Sequence, residues 1–207
     1  MKSRTLIAGA ILVVVVGIAA GIALRTALDR PEAPSRVAAN VKTFSLIDQA
    51  GRPVTESTYH GRWMLVFFGF THCPDVCPAA MILAGQLLEA LGPLAENLQV
   101  AFITVDPERD TPSALKDYLA NFDSRIVGLT GTAEQIAAAT RTFGVAYAQR
   151  RLDGQEGYTM DHSTAFYLVD GSGRGRRAFA VDRGADELID EVRAALSASP
   201  PSTGELK

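Results

Sequence analysis

The chain has 207 residues, 47% of them hydrophobic, with 20 Lys+Arg against 23 Asp+Glu and a formal charge of −3. Its first 25 residues hold Lys2, Arg4 and Arg25 and no acid, so the other 182 carry 17 basic and 23 acidic side chains, a net −6. A mildly acidic body excludes a general nucleic-acid binder, which needs a basic face against phosphates; the apolar content excludes disorder, and two cysteines exclude a disulfide scaffold.

Residues 5–24 carry no charge, and residues 6–24 are nearly all Ile, Leu, Val, Ala and Gly. Nineteen such residues at ~1.5 Å each extend about 28 Å, the thickness of a bilayer's hydrocarbon core. We read residues 1–25 as one transmembrane anchor. The competing reading is a cleaved signal peptide, whose apolar region is usually only ~7–15 residues; Gly17, Ala19, Gly21 and Ala23 supply small residues for cleavage. A short basic N-terminus ahead of a first span stays cytoplasmic. The reading is therefore a single pass of the inner membrane, with the body facing the periplasm or an equivalent non-cytosolic space. Residues 26–40, with Pro31 and Pro34, are a tether; residues 41–198 are the domain; the polar run 199–207 is a tail.

Within the domain, residues 41–47 alternate and Gln49-Ala50-Gly51-Arg52 turns them toward Pro53-Val54, an opening hairpin. Residues 63–68 (Trp-Met-Leu-Val-Phe-Phe) form an unbroken apolar run, which fits a strand buried on both faces. A helix follows over 78–91, stopped by Gly92-Pro93, and then a second buried strand over 98–105. Thr111-Pro112 opens a helix with Leu115, Tyr118, Leu119 and Phe122 on one face. After a short strand at 126–129, Thr132 and Gln135 form a capping box for a helix running to about Phe143. Residues 165–169 and 177–181 flank a Gly-rich turn as paired strands, and Leu188, Ile189, Val192 and Leu196 mark a final amphipathic helix. This order describes an α/β sandwich with a central mixed sheet. Neither GxGxxG nor GxxxxGK[ST] occurs, so nucleotide binding has no support.

The chemistry is concentrated in Gly69-Phe70-Thr71-His72-Cys73-Pro74-Asp75-Val76-Cys77-Pro78, which leaves a buried strand and enters a helix. Proline suits a first helical position, which makes Cys77 the expected N-cap and places both sulfurs near unpaired N–H groups that favour thiolate. Two such thiolates form a disulfide or a soft-metal clamp. CxxxC differs from the CxxC of thioredoxin-type oxidoreductases, and two sulfurs without a second pair fall short of structural zinc. With one imidazole they suit copper, Cu(I) or Cu(II), one ion per chain. Two thiolates and a neutral imidazole leave a Cu(I) site at −1 and a Cu(II) site neutral. Three histidines could supply the imidazole. His72 is the chain neighbour of Cys73, His60 precedes Gly61 in a turn, and His162 stands before the strand at 165–169; spacing alone does not choose among them.

The block 69–78, the block Val105-Asp106-Pro107-Glu108-Arg109-Asp110-Thr111-Pro112, and Asp161-His162-Ser163 together resemble the three signature blocks of the SCO/SenC family. The resemblance runs in order over about residues 41–198. It implies a thioredoxin-like fold, membrane anchorage, and a role in assembling the binuclear copper site of cytochrome c oxidase. The copper-bearing subunit of that oxidase is the implied partner. It also implies that Cys73, Cys77 and His162 are the copper ligands. Asp110 stands either as a helix cap or as a support behind the ligands, Asp161 as a group orienting His162, and Met160 as core filler or a soft auxiliary ligand. The rival reading is a membrane-tethered thiol–disulfide oxidoreductase that uses Cys73 and Cys77 as a redox pair to reduce the acceptor's cysteines.

Overall fold

The computed structural model describes residues 44–152 and 157–198. The expected anchor, tether and tail lie outside these residues. Among the described residues one helical stretch, Val76–Asn97, is long and apolar enough to cross a membrane. It is a core element of the domain: Met81, Ala84, Leu87 and Leu88 along it are buried.

Among the described residues nine strands and four α-helices follow one another: β1 (Ser45–Asp48), β2 (Pro53–Thr55), β3 (Trp63–Gly69), α1 (Val76–Leu91), β4 (Leu98–Thr104), α2 (Pro112–Leu119), β5 (Val127–Thr130), α3 (Ala133–Phe143), β6 (Tyr147–Arg151), β7 (Tyr158–His162), β8 (Ala165–Val169), β9 (Gly175–Ala180) and α4 (Ala185–Ala198). Seven strands form one mixed sheet in the order β2-β1-β5-β4-β3-β8-β9. Its centre is parallel, β3 beside β4 and β4 beside β5, while β8 joins β3 antiparallel. Every residue of β3, β4 and β8 is buried, the state their unbroken apolar runs require.

The two faces of the sheet carry separate aromatic layers. Phe67 packs against Phe102 and Phe166 on one face, and Phe102 meets Tyr118 of α2. Phe68, one residue on, faces the other way and meets Phe143 of α3 and Tyr167. The helix termini use the chemistry read from the sequence. Thr132 Oγ1 accepts from Gln135 N–H while the Gln135 side chain accepts from Thr132 N–H, and Gly144 closes α3 in the left-handed region at φ 71°.

Because β3 and β4 run parallel and in register, their carboxyl ends emerge side by side. Val105 N–H donates to Gly69 O at 2.8 Å, so the loop 70–75 and the turn 105–111 start as neighbours, where open α/β sheets place their reactive groups.

Two expectations change. The first helix starts at Val76, not Pro78, with Asp75 in the flanking position and Cys77 inside the first turn. Pro78 is tolerated at the third position because the first-turn N–H groups have no intrahelical partner to lose. The second difference is a separate two-stranded ribbon of β6 and β7, which replaces the plain approach to β8. Tyr-Ala-Gln-Arg-Arg and Tyr-Thr-Met-Asp-His lack the apolar alternation that marks a strand on a core.

The layers set the scale for two substitutions. Phe68→Ala removes a fully buried ring between two aromatic neighbours and should lower the stability of the domain by about 3–5 kcal/mol. Thr132→Ala removes one cap and should lower it by about 1 kcal/mol. Urea denaturation followed by circular dichroism measures both.

Candidate metal centre

The cysteine loop is fixed from below by a buried carboxylate. Asp110 is wholly buried and accepts three hydrogen bonds: from Thr71 N–H at 3.0 Å, Thr71 Oγ1–H at 2.6 Å and Thr104 Oγ1–H at 2.6 Å. A carboxylate in that setting is tolerable only with such donors. Of the two readings of Asp110, helix capping belongs instead to its neighbour, since Thr111 Oγ1 accepts from Ala114 N–H. Asp110 holds the start of the loop that carries the sulfurs.

Cys73 turns back through its N–H to Phe70 O at 3.2 Å, and its Sγ accepts from Cys77 N–H at 3.4 Å. That sulfur does the capping that an N-cap side chain would otherwise do. Cys77 is wholly buried, Cys73 half-buried, and both are free thiols. The floor under Cys77 is Gly69: a methyl group there would come within 2.8 Å of Cys77 Sγ and 2.8 Å of Phe102 Cε2.

His162 ends β7, in register with Tyr147 of β6. Its Nδ1 lies 3.1 Å from Ser163 O, so Nδ1 is the donor to that carbonyl and Nε2 is the nitrogen left facing the sulfurs. Nε2 stands 3.6 Å from Cys77 Sγ. Phe67 and Phe70 meet the imidazole nearly edge-on, at 6.1 Å and 5.9 Å between ring centres. The ring is thus walled on two sides and tied on a third.

The two sulfurs and the imidazole nitrogen all lie within 4.8 Å of one another. For metal–ligand bonds of about 2.0–2.3 Å, a three-coordinate ion needs ligand atoms about 3.5–4 Å apart, so small rotations close this triangle on a metal. Two thiolates and an imidazole form a soft, low-coordinate set that fits copper.

The other residues considered from the sequence stay outside the triangle. Asp161 is exposed, and its carboxylate pairs with Arg150 at 3.1 Å. Successive residues of a strand point to opposite faces, so the neighbour of an inward His162 looks outward, and the Ser163 carbonyl does the orienting expected of Asp161. Met160 is a buried core residue. His72 is 55% exposed, with Nδ1 3.1 Å from Thr71 Oγ1, and His60 is exposed in its turn. The sequence reading passed over Thr71 and Phe70, which sit between the buried strand and the first cysteine. A hydroxyl and an aromatic ring there were the available signal.

The two thiols are unequal. The hydrogen bond from the Cys77 thiol, aided by one from His162 and by the N–H groups of Asp75 and Cys77, holds the Cys73 thiol far below its usual range, at about 3. Its bond to the Cys73 sulfur, together with burial, pushes Cys77 strongly up.

The SCO1/SenC family profile matches residues 32–197. The chain belongs to the SCO1/SenC family. The bovine protein named "Protein SCO2 homolog, mitochondrial" is 40% identical over 171 residues, 82% of this chain and 64% of that protein, so the chain spans less than two thirds of this relative's length. Among solved structures, Bradyrhizobium japonicum ScoI with copper bound is 38% identical, with a TM-score of 0.68 over 73% of this chain and 96% of that one. Yeast Sco1 with copper bound is 33% identical, with a TM-score of 0.71 over 82% and 92%. The SCO family proteins share a thioredoxin-like fold, and the mixed sheet described above is that fold.

A thiol held at about 3 stays ionised as the pH falls, so its reactivity should stay flat where an ordinary thiol fades. In the metal-free full-length protein, iodoacetamide should modify Cys73 alone. Its rate should change by less than about twofold between pH 5 and 8, against several hundredfold for a thiol near 8.5. Peptide mapping of the labelled protein gives both site and rate. Gly69→Ala should disturb the same site, displacing Cys77 and lowering stability by about 1–3 kcal/mol in thermal melts.

Proposed function

We propose that this SCO1/SenC protein binds one copper ion through Cys73, Cys77 and His162. It delivers that ion to, or prepares, the binuclear copper site of cytochrome c oxidase during assembly. The observation that carries the reading is the meeting of an imidazole nitrogen with the sulfurs of Cys73 and Cys77, the latter 85 residues away in the chain. Two relatives of more than 30% identity are described with copper bound, which supports copper as the ion. The copper is cargo: it leaves by exchange of ligands with the thiolates of the acceptor, the copper-bearing subunit of the oxidase, and no bond of the protein itself is broken. Half-buried Cys73 is the ligand an incoming thiolate meets first. Residues 6–24 anchor the chain in the inner membrane, with the domain on the periplasmic or equivalent side.

The contrast between the two thiols favours a second role. An accessible thiolate beside a buried thiol is the arrangement of a dithiol reductant. Cys73 attacks an acceptor disulfide and forms a mixed disulfide. The acceptor's other sulfur leaves as a thiolate, and Cys77, losing its proton, attacks the Cys73 sulfur and displaces the acceptor sulfur bound to it. The acceptor gains two electrons, one proton from Cys77 and one from solvent, and the protein is left with a Cys73–Cys77 disulfide.

His162→Ala separates the roles. Tight, stoichiometric copper binding, measured by competition with a chromogenic Cu(I) chelator, should be lost, a larger effect than the about 10–100-fold of removing an outer-shell partner, while the dithiol still reduces an oxidised two-cysteine peptide. Wild-type copper affinity in this variant would overturn the three-ligand reading, and a metal-free protein unable to reduce the peptide would remove the second role.

A further inference from the structure

We propose that the turn 106–110 is a brace that sets the distance between the imidazole and the sulfurs, with Arg109 as the positioning residue for His162. The inference rests on the copper reading above and assigns a task to side chains which that reading leaves without one.

The ribbon β6–β7 that delivers His162 shares no ladder with the seven-stranded sheet. Its base is closed internally, Ser163 N–H donating to Ala146 O at 3.0 Å and Ala146 N–H to Ser163 Oγ at 3.2 Å. Apolar burial of Met160 presses it on the core, but such contact is non-directional and does not fix where a ring nitrogen stands.

Among the described residues, the turn 106–110 supplies directional bonds to the start of β7. Arg109 Nη1–H donates to Tyr158 O at 3.1 Å, and its guanidinium lies 3.8 Å from the centre of the Tyr158 ring. Tyr158 Oη–H donates to Asp106 Oδ1 at 2.9 Å, and Arg109 Nε–H donates to the other oxygen of that buried carboxylate. Asp106, Arg109 and Tyr158 therefore form a closed triangle that seats the first residue of the strand ending in His162. The guanidinium also lies 5.8 Å from the Phe70 ring, one of the two that wall the imidazole.

The same turn holds the other arm. Asp110 fixes Thr71 of the cysteine loop, and its own N–H donates to Asp106 O at 2.9 Å. A turn of five residues thus grips the sulfur arm through Thr71 and the imidazole arm through Tyr158, so the gap between them is set by its width. The grip needs a fork: Nε and Nη1 engage a carboxylate and a carbonyl at once, which a lysine ammonium on a flexible stem does not reproduce. The third nitrogen, Nη2, is buried without a hydrogen-bond partner, so part of the desolvation of this group goes uncompensated and the fold depends on it less than its contacts suggest.

The test is a double-mutant cycle in the full-length protein. Arg109→Ala should lower Cu(I) affinity by about tenfold. It should weaken the nitrogen contribution to the copper X-ray absorption spectrum. In the metal-free protein it should raise amide exchange across 158–163. Cys73 alkylation, which reports the sulfur arm, should stay at the wild-type rate. Because Arg109 acts through His162, adding Arg109→Ala to His162→Ala should change affinity no further. Arg109→Lys should fall between wild type and Arg109→Ala. Wild-type affinity and spectrum in Arg109→Ala, or its full effect repeated in the His162→Ala background, would overturn the brace. If His162→Ala itself kept wild-type affinity, the copper reading would fall instead, and the two failures are distinct. If Arg109→Ala does not fold, Tyr158→Phe decides the matter on the same cycle. It keeps the ring and removes only the bond to Asp106, so its loss should be smaller, in the same direction, and absent without His162.

Discussion

The proposed site for a low-coordinate soft ion draws two sulfurs from residues 73–77 and an imidazole nitrogen from 85 residues further on, all within a few ångströms. Bringing that imidazole to the sulfurs closes a long stretch of chain, and the entropy opposing closure has to be met by contacts in the folded domain. The parallel pairing of β3 with β4 meets the first part of the demand. It sets the sulfur loop and the turn 105–111 on one edge, each leaving a strand that is buried along its whole length. The ribbon meets the second part by carrying the imidazole to within 3.6 Å of Cys77 Sγ.

Much of this was legible in the residues. The runs at 63–68 and 98–105 could only be covered strands, and Thr111, Thr132 and Gln135 announced their helices through side chains that reach the backbone locally. The sulfur pair was legible because two cysteines in five residues, beside two prolines, have few structural uses. The imidazole was not. His162 is placed by a ribbon in which one strand carries exposed Gln149, Arg150 and Arg151 and the other buries only Met160. No periodicity marks such an element. The resemblance of motifs supplied what the pattern could not.

The two misplaced details share one cause. Cys77 was read as a cap because a proline followed it, and Asp161 as an orienting group because a histidine followed it. Both readings took the nearest residue in the chain for the nearest in space. In the fold a sulfur four residues back accepts the helix N–H, and the carbonyl of the next residue, Ser163, holds the imidazole. Backbone groups and sulfur are poor sequence signals because every residue carries the first and few readings weigh the second as an acceptor.

The bare position at Gly69 has a consequence for traffic. With no side chain between the strand end and Cys77, that sulfur rests directly on the aromatic layer of the sheet, and Phe67 and Phe70 shut the flank beside His162. Of the two sulfurs, that of Cys73 is the one partly open to solvent. For the proposed copper site this would give the handover a polarity, with the half-buried outer sulfur released early and the buried inner one late.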